Sequence, residues 1–287
     1  MTNEKNKVIG GTLYLVGTPI GNLSDISERA VKVLSEVDFI AAEDTRNTAK
    51  LLSALGIHGE LFSYHEHNKR AAGEKIVERL RSGESCALVT DAGMPAISDP
   101  GEDLVRLAAD SDITVSVIPG PCAAVSALAL SALPTARFVF EGFLPTAAKE
   151  RRERLDALRY EERTVIFYEA PHKLKKTLGD LCATFGKERR ISLCRELTKL
   201  NEEAIRTTLS GACEIFTEKE PRGEFVLVME GTDEKPESQN AAALSSLTPR
   251  EHVEKYIEDG LSRMDAIKAA AKDRKIPKSE FYKLLNN

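Results

Sequence analysis

The stretch "ALVTDAGMPAISDPGEDLVRLA", residues 87–108, changes character twice. An apolar run of strand length opens it, a loop of Gly, Pro, Ser and Asp follows, and apolar positions then recur at helical spacing. A strand that passes through a loop into an amphipathic helix is half of a parallel βαβ unit. The same alternation surrounds it on both sides: "TLYLV", "DFIAA", "ELFSY" and "TVSVIPG" read as strands, while "DISERAVKVLSEV", "NTAKLLSALG" and "KRAAGEKIVERLRSG" read as helices. Near-continuous apolar strands separated by amphipathic helices predict a mostly parallel sheet covered on both faces. Such sheets bind ligands beyond the carboxyl ends of their strands. Three candidate ligand loops therefore share one edge: "GTPIGN" after "LYLV", "DAGMPAISDPG" after "CALVT", and "PGPC" after "VSVI".

The loop at 91–101 is not a phosphate cradle of the P-loop kind, because no Lys or Arg lies between Val89 and Asp103. Asp91 and Asp99 bracket it instead, which suits a ligand presenting hydroxyls, amino groups or a positive centre. Two Gly, two Pro, two Asp and a Ser within residues 90–101 over-determine the backbone beyond the needs of a surface turn. "GTPIGNLSD" is not G-x-G-x-x-G, so the dinucleotide fingerprint fails; a tight βα turn with Ser24 or Asp25 as a helix cap accounts for it. "AAEDTRNTAKLL" gathers Glu43, Asp44, Thr45 and Arg46 where a strand ends and a helix begins. Asp44 or Thr45 there serves as an N-cap, or the group forms a polar wall with acid–base capacity. "IPGPCAAVSAL" places small residues at a helix start, where backbone amides can receive a carboxylate. A carboxylate, a ribose and a cationic centre together describe S-adenosylmethionine, although a sugar or amino acid would use the same groups.

The chain of 287 residues exceeds one usual domain. From "RFVFEGFLP" onward, "TVIFYE", "RISLCREL" and "EFVLVMEG" alternate with a basic helix "KERRERLDALRYE" and with "HKLKKTLGDLCATFG", a second α/β domain with mixed pairing. The expected boundaries are an N-terminal α/β domain at 1–120, a C-terminal α/β domain at 121–232, a polar linker at 233–249 and a helical tail at 250–287. The tail carries seven Lys/Arg against three acids over 263–287, in a chain of net charge −5. The chain as a whole thus lacks the basic footprint of many nucleic-acid binders. No apolar run reaches the roughly 18 to 20 residues needed to span a bilayer, and the N-terminus lacks signal-peptide features, so no membrane partner and a cytoplasmic location are expected. Five dispersed cysteines without a C-x-x-C pair fit reduced thiols, and the pair His65 and His67 falls short of a zinc signature, so no metal is expected. Glu169, Arg195, Glu196 and Lys199 stand at strand ends of the second half, either as cleft residues or as surface ion pairs.

Read together, "LYLVGTPIGNLSDIS", "AAEDTRNT", "LVTDAGMPAISDPG", "PGPCAAVSAL", "EGFLP", "TVIFYEAPHKL", "RELTK" and "GEFVLV" run in order from residue 13 to 228. In that order they resemble the tetrapyrrole methylase superfamily, and within it the branch that modifies ribosomal RNA, over nearly the full length. The resemblance implies two α/β domains of the class III methyltransferase type with a ligand cleft between them, a homodimer, and S-adenosylmethionine as methyl donor. It implies 2′-O-methylation of a cytidine in the decoding region of 16S rRNA, within the small ribosomal subunit. Carried over by motif, donor contacts fall on Thr18 and Pro19, on Asp91, Gly93, Met94, Pro95, Ile97 and Ser98, on Cys122 and Ala123, and on Tyr168, Glu169 and Ala170. Met94 stands where the family loop usually has Thr, so a hydroxyl bond is expected to be lost, and Leu200-Asn201 replaces an often aromatic position.

A ribose hydroxyl is a poor nucleophile that must be aligned with the methyl group and relieved of its proton. The expectation is that Asp44 accepts or relays that proton and that Arg46 orients the substrate. RNA contacts are expected from the dimer surface, the basic helix at 149–163 and the tail from 250. Two other readings stay open: a relative methylating a small tetrapyrrole, and a non-catalytic ribosome-associated RNA-binding protein.

Overall fold

The computed structural model describes residues 7–234, 247–274 and 276–286. Most of the expected linker (235–246) and Lys275 of the basic tail lie outside the described residues. Two compact units result, Met1–Thr232 and Asp233–Asn287.

In the first unit, β1 (Thr12–Val16), β2 (Phe39–Ala42), β3 (Glu60–Ser63), β4 (Cys86–Val89) and β5 (Thr114–Ile118) form a parallel sheet of order β3-β2-β4-β1-β5. The two-residue period of a strand splits its apolar residues between two cores. Tyr14, Val16, Ile40, Ala42, Ala87 and Val89 pack with Ala30, Val33 and Leu34 of α1 (Glu28–Glu36) and Leu52 of α2 (Thr45–Ala54). Leu13, Phe39, Ala41, Cys86 and Leu88 pack with Ile76 and Leu80 of α3 (Lys69–Arg81) and Leu104 of α4 (Gly101–Ala109). Both faces are covered, as near-continuous apolar strands require. Ser27 caps α1 through the Ala30 amide, so neither Ser24 nor Asp25 has that role; Asn22 closes the short turn Leu23–Asp25 before it.

The second sheet has the order β6-β7-β10-β8-β9, built from β6 (Phe138–Phe143), β7 (Thr164–Glu169), β8 (Arg190–Arg195), β9 (Glu203–Thr208) and β10 (Phe225–Met229). Only β6 and β7 run parallel; the other three pairings are antiparallel. One face packs α6 (Ala148–Ala157), α7 (Pro171–Phe185) and α8 (Leu209–Glu218) around Phe167, Leu193 and Leu227. The other packs the small-residue helix α5 (Ala123–Leu130), whose Ala124, Ala127 and Leu128 lie against Ile166, Val226 and Val228. Alanines at that contact let the helix approach the sheet closely.

The described residues of the second unit form three helices, α9 (Pro249–Glu258), α10 (Arg263–Asp273) and α11 (Lys278–Asn286), around Val253, Ile267, Ala270 and Phe281. Thr248 and Glu251 form a reciprocal capping box, and Ser262 caps α10. All five cysteines are free thiols. Among the described residues no helix is long and apolar enough to cross a membrane, and no cluster of His, Cys, Asp and Glu gathers to hold a metal ion.

Candidate active site

The carboxyl ends of the parallel strands open onto loops that hold one another by backbone contacts. The Thr18 amide donates to the Gly93 carbonyl at 2.9 Å and the Gly93 amide returns a bond to the Thr18 carbonyl at 3.1 Å, joining the β1 loop to the β4 loop. A Cβ added at Gly17 would lie 2.7 Å from the Gly120 backbone, so the β1 and β5 loops touch main chain to main chain. Only glycine permits that approach. Met94 adds a third tie, its Sδ accepting from the Gly120 amide at 3.3 Å. Where a hydroxyl was expected to be lost, a thioether acceptor takes its place.

The β4 loop is strained as well as tied. Ala96 and Ser98 have φ of 66° and 65°, a region that costs an L-residue free energy and persists only where surroundings over-determine it. Asp99 supplies much of that determination: its Oδ1 accepts from the Ala96 and Gly101 amides at 3.0 and 2.7 Å. From the second sheet, a register shift between Phe140 and Gly142 brings Gly142 against Ser98, where an added Cβ would sit 3.1 Å from the Ser98 hydroxyl.

These loops and the facing sheet enclose a cavity of about 700 Å³, within the usual size for small-ligand sites. Of the residues expected to contact a donor, Asp91, Gly93, Met94, Ile97, Ser98, Cys122, Ala123, Tyr168, Glu169 and Ala170 line it. Thr18, Pro19 and Pro95 do not; Thr18 and Pro95 are buried behind the wall and Thr18 acts through its bridge to Gly93. Ile20 takes the place at the wall that the β1 motif was expected to give to Thr18 and Pro19.

The chemistry of the lining is one-sided. Among the described residues five carboxylates reach it (Glu43, Asp91, Asp99, Glu169 and Glu224), and no Lys or Arg does. Aromatic rings complete the wall, with Tyr168 edge-on to Phe140 at 4.9 Å and to Phe143 at 5.6 Å between ring centres. Burial pushes the Tyr168 phenol up to about 12, so it stays neutral. Glu169 is 5% exposed; one oxygen accepts from the Ala170 amide at 2.9 Å and the other from the Thr177 hydroxyl. Behind it, Arg151 donates to Thr177 at 2.8 Å and to Asp180 at 2.7 Å, so the buried acid is held by a chain of polar contacts. Helices α5 and α7 both begin at this cavity, with Cys122 and Ala170 as caps that make no side-chain bond to the first amides.

Asp44 and Arg46 stand beside the cavity and do not line it. Asp44 caps α2 through the Arg46 amide at 2.8 Å and forms a two-pronged pair with the Arg46 guanidinium at 3.0 and 2.6 Å. Those bonds hold its carboxyl far below the usual carboxylate range, which makes it a weak proton acceptor. Arg46 is raised by the same pairing and, to a smaller degree, by Asp91. The residue of this motif that faces the cavity is Glu43, whose Oε2 accepts from the Thr90 hydroxyl at 2.8 Å.

Near the mouth, Lys199 bridges Glu196 at 3.0 Å and Glu224 at 2.9 Å, and its side chain lies over Gly21, where a Cβ would come within 2.4 Å. Arg195 pairs with Glu203 at 3.1 Å. Leu200 is 99% exposed at the tip of that loop. The basic stretch at 149–163 spends much of its charge within the chain: Arg151 on Asp180, Arg154 on Glu141 at 2.5 Å, Arg163 on Glu161 at 2.7 Å.

The model of the tetrapyrrole (corrin/porphyrin) methylases matches residues 12–213. Ribosomal RNA small subunit methyltransferase I of Halalkalibacterium halodurans is 50% identical, covering 96% of this chain and 94% of that one. The protein of the same name from Bacillus subtilis is 48% identical over 95% and 93%. Among solved structures, a cobalt precorrin-4 methyltransferase superposes with a TM-score of 0.58 at 16% identity, over 77% of this chain and 95% of its own. A uroporphyrin-III C-methyltransferase from Thermus thermophilus, complexed with S-adenosyl homocysteine, superposes at 0.54 and 18% identity, over 76% and 97%. These last two share the fold. With a family model covering most of the chain and near-full-length relatives at half identity, the chain belongs to the tetrapyrrole methylase family.

Proposed function

We propose that the chain transfers a methyl group from S-adenosylmethionine to 16S ribosomal RNA, at the ribose 2′-hydroxyl of a cytidine in the decoding region. The observation that carries the donor is the lining: carboxylates and aromatic faces, with no Lys or Arg among its described residues, in a cavity of about 700 Å³. A sulfonium is favoured by such a wall, and a ribose offers hydroxyls to its carboxylates. The relatives at about half identity carry the RNA part of the reading, since they bear the name ribosomal RNA small subunit methyltransferase I.

When bound, S-adenosylmethionine supplies an electrophilic methyl group. The work of this chain is to hold it and to align an acceptor. Asp91, Gly93, Met94, Ile97 and Ser98, together with Cys122 and Ala123, would line the donor on the first sheet's side, with Tyr168 to Ala170 opposite. The bridges at Thr18 and Gly93 and the contact of Gly17 with Gly120 fix the loop positions through the chain's own backbone, which reduces the ordering cost of binding. The rings of Phe143 and Tyr168 exclude water from one side of the cavity. Arg46, 85% exposed next to the cavity and held in place by Asp44, would contact the acceptor's phosphate.

The reading includes a homodimer acting in the cytoplasm, with RNA contacts from the basic tail. Val117, Val125 and Phe138, at 52%, 52% and 40% exposure, are apolar surface available for a second copy.

Methyl-labelled S-adenosylmethionine incubated with small ribosomal subunits from cells lacking this modification tests the acceptor class. Label is expected in 16S RNA. Label in an offered tetrapyrrole but not in RNA would overturn the reading, and donor binding without transfer to RNA would favour a non-catalytic role.

A further inference from the structure

Among the described residues five carboxylates reach the cavity, and their burial and hydrogen bonds together sort them. Both Asp99 oxygens serve loop amides, Oδ1 at Ala96 and Gly101 and Oδ2 at Ile97. Both Glu169 oxygens are occupied, by the Ala170 amide and by Thr177. Glu224 is exposed, with only its Oε2 tied, to Lys199 at 2.9 Å. Asp91 is exposed and lies in the field of Arg46. Glu43 differs from all of these: it is half-buried, one oxygen is fixed by Thr90 at 2.8 Å, and the other has no hydrogen-bond partner among the described residues.

Its position follows from the sheet. Ala42 of β2 pairs in register with Val89 of β4, so the next residues, Glu43 and Thr90, leave the strand ends side by side. The following residue of β4 is Asp91, at the start of the donor loop. Asp44, one residue on, is already turned into the cap of α2. One carboxylate of the pair is therefore consumed by local structure and the other is presented to the cavity.

Resting on the proposed 2′-O-methylation, we infer that Glu43 accepts the proton of the acceptor hydroxyl and that Thr90 is the positioning residue that aims it. In this step a lone pair of the hydroxyl oxygen forms the new O–CH₃ bond. The S–CH₃ bond breaks with its electron pair passing to sulfur, and the hydroxyl proton passes to the free Glu43 oxygen and from there to water. The hydroxyl becomes strongly acidic only as the O–CH₃ bond forms, so a carboxylate in contact with it is a sufficient base at that moment.

The test compares Glu43→Gln, Thr90→Val, Thr90→Ser and Asp91→Asn with the native chain. S-adenosylhomocysteine affinity is read by calorimetry, and single-turnover methyl transfer is read on undermethylated small subunits. Glu43→Gln is expected to bind S-adenosylhomocysteine as the native chain does and to lose about 100-fold or more in the transfer rate. Thr90→Val is expected to lose about tenfold in rate at unchanged affinity, with Thr90→Ser restoring it. Asp91→Asn, by contrast, weakens S-adenosylhomocysteine binding. A Glu43→Gln rate within threefold of native, or a loss of affinity that accounts for its loss of rate, overturns the assignment. No transfer by the native chain overturns the reading beneath it, and the assignment with it.

Discussion

Asp44 and Glu43 are neighbours of the same chemical type, and their environments give them different work. Asp44 is spent on a helix cap and on Arg46; Glu43 keeps an oxygen free beside the cavity. The sequence marks "AAEDTRNT" as a polar wall with acid–base capacity, and the cap alternative for Asp44 is equally legible there. Which acid faces inward depends on the β2–β4 register, and register is a long-range property that local spacing does not contain. Another residue whose state is set by distant partners is His252, fully buried in α9. Burial lowers its pKa below the ordinary value, the Asp273 carboxylate opposes that shift, and the Arg274 charge adds to it. The geometry matches a neutral ring: Nδ1 accepts from Arg274 at 3.2 Å, which leaves Nε2–H to donate to Asp273 at 3.1 Å. A histidine with a lowered folded pKa binds fewer protons folded than unfolded, so its contribution is complete above the unfolded value of about 6.5 and is lost as pH falls below it. Amide exchange over α9 to α11, corrected for intrinsic rates, is expected to show less protection at about pH 5.5 than at about pH 7.5. Equal protection at both would contradict this account of His252.

At the scale of elements, the strands and covering helices of the first sheet are legible because parallel strands buried on both faces must be apolar throughout. The loops that follow β1, β4 and β5 are legible as ligand loops from their Gly, Pro and Asp content. What their sequences do not contain is the contact between them. Thr18 and Pro19 read as wall residues, yet Thr18 is withdrawn into a bridge with Gly93 and Ile20 faces the cavity. The basic stretch at 149–163 shows the same limit. Its charge is visible, but the acids that answer it, Glu141 and Asp180, stand 13 and 29 residues away in the chain. The loop contact itself makes a prediction. In Gly120→Ala the added Cβ would meet Gly17 backbone at 2.9 Å, with no flexible side chain to move aside. A loss of about 1–3 kcal/mol in stability is expected from such overpacking. Affinity for S-adenosylhomocysteine is expected to fall at least about tenfold, because displacing these loops misplaces the wall. Calorimetry and denaturant melts on the same variant check both; an unchanged affinity would show that the β1–β5 contact does not shape the cavity.

For the whole molecule, charge is unevenly distributed along the chain. Carboxylates line the cavity, while the basic residues over 263–287, Arg263, Lys268, Lys272, Arg274, Lys275, Lys278 and Lys283, sit apart in sequence. With a net charge of −5 overall, affinity for naked RNA would be weak, which favours a large shaped acceptor over a free strand. The resemblance legible in the sequence pointed to the same family that the comparisons establish, and its motifs fall on the loops that build the cavity. Nucleoside analysis of 16S RNA after methyl transfer by the native chain to undermethylated small subunits decides whether the ribose is the acceptor. The account predicts label recovered as 2′-O-methylcytidine, formed on assembled subunits in preference to naked RNA. Label recovered as a base-methylated nucleoside would contradict it.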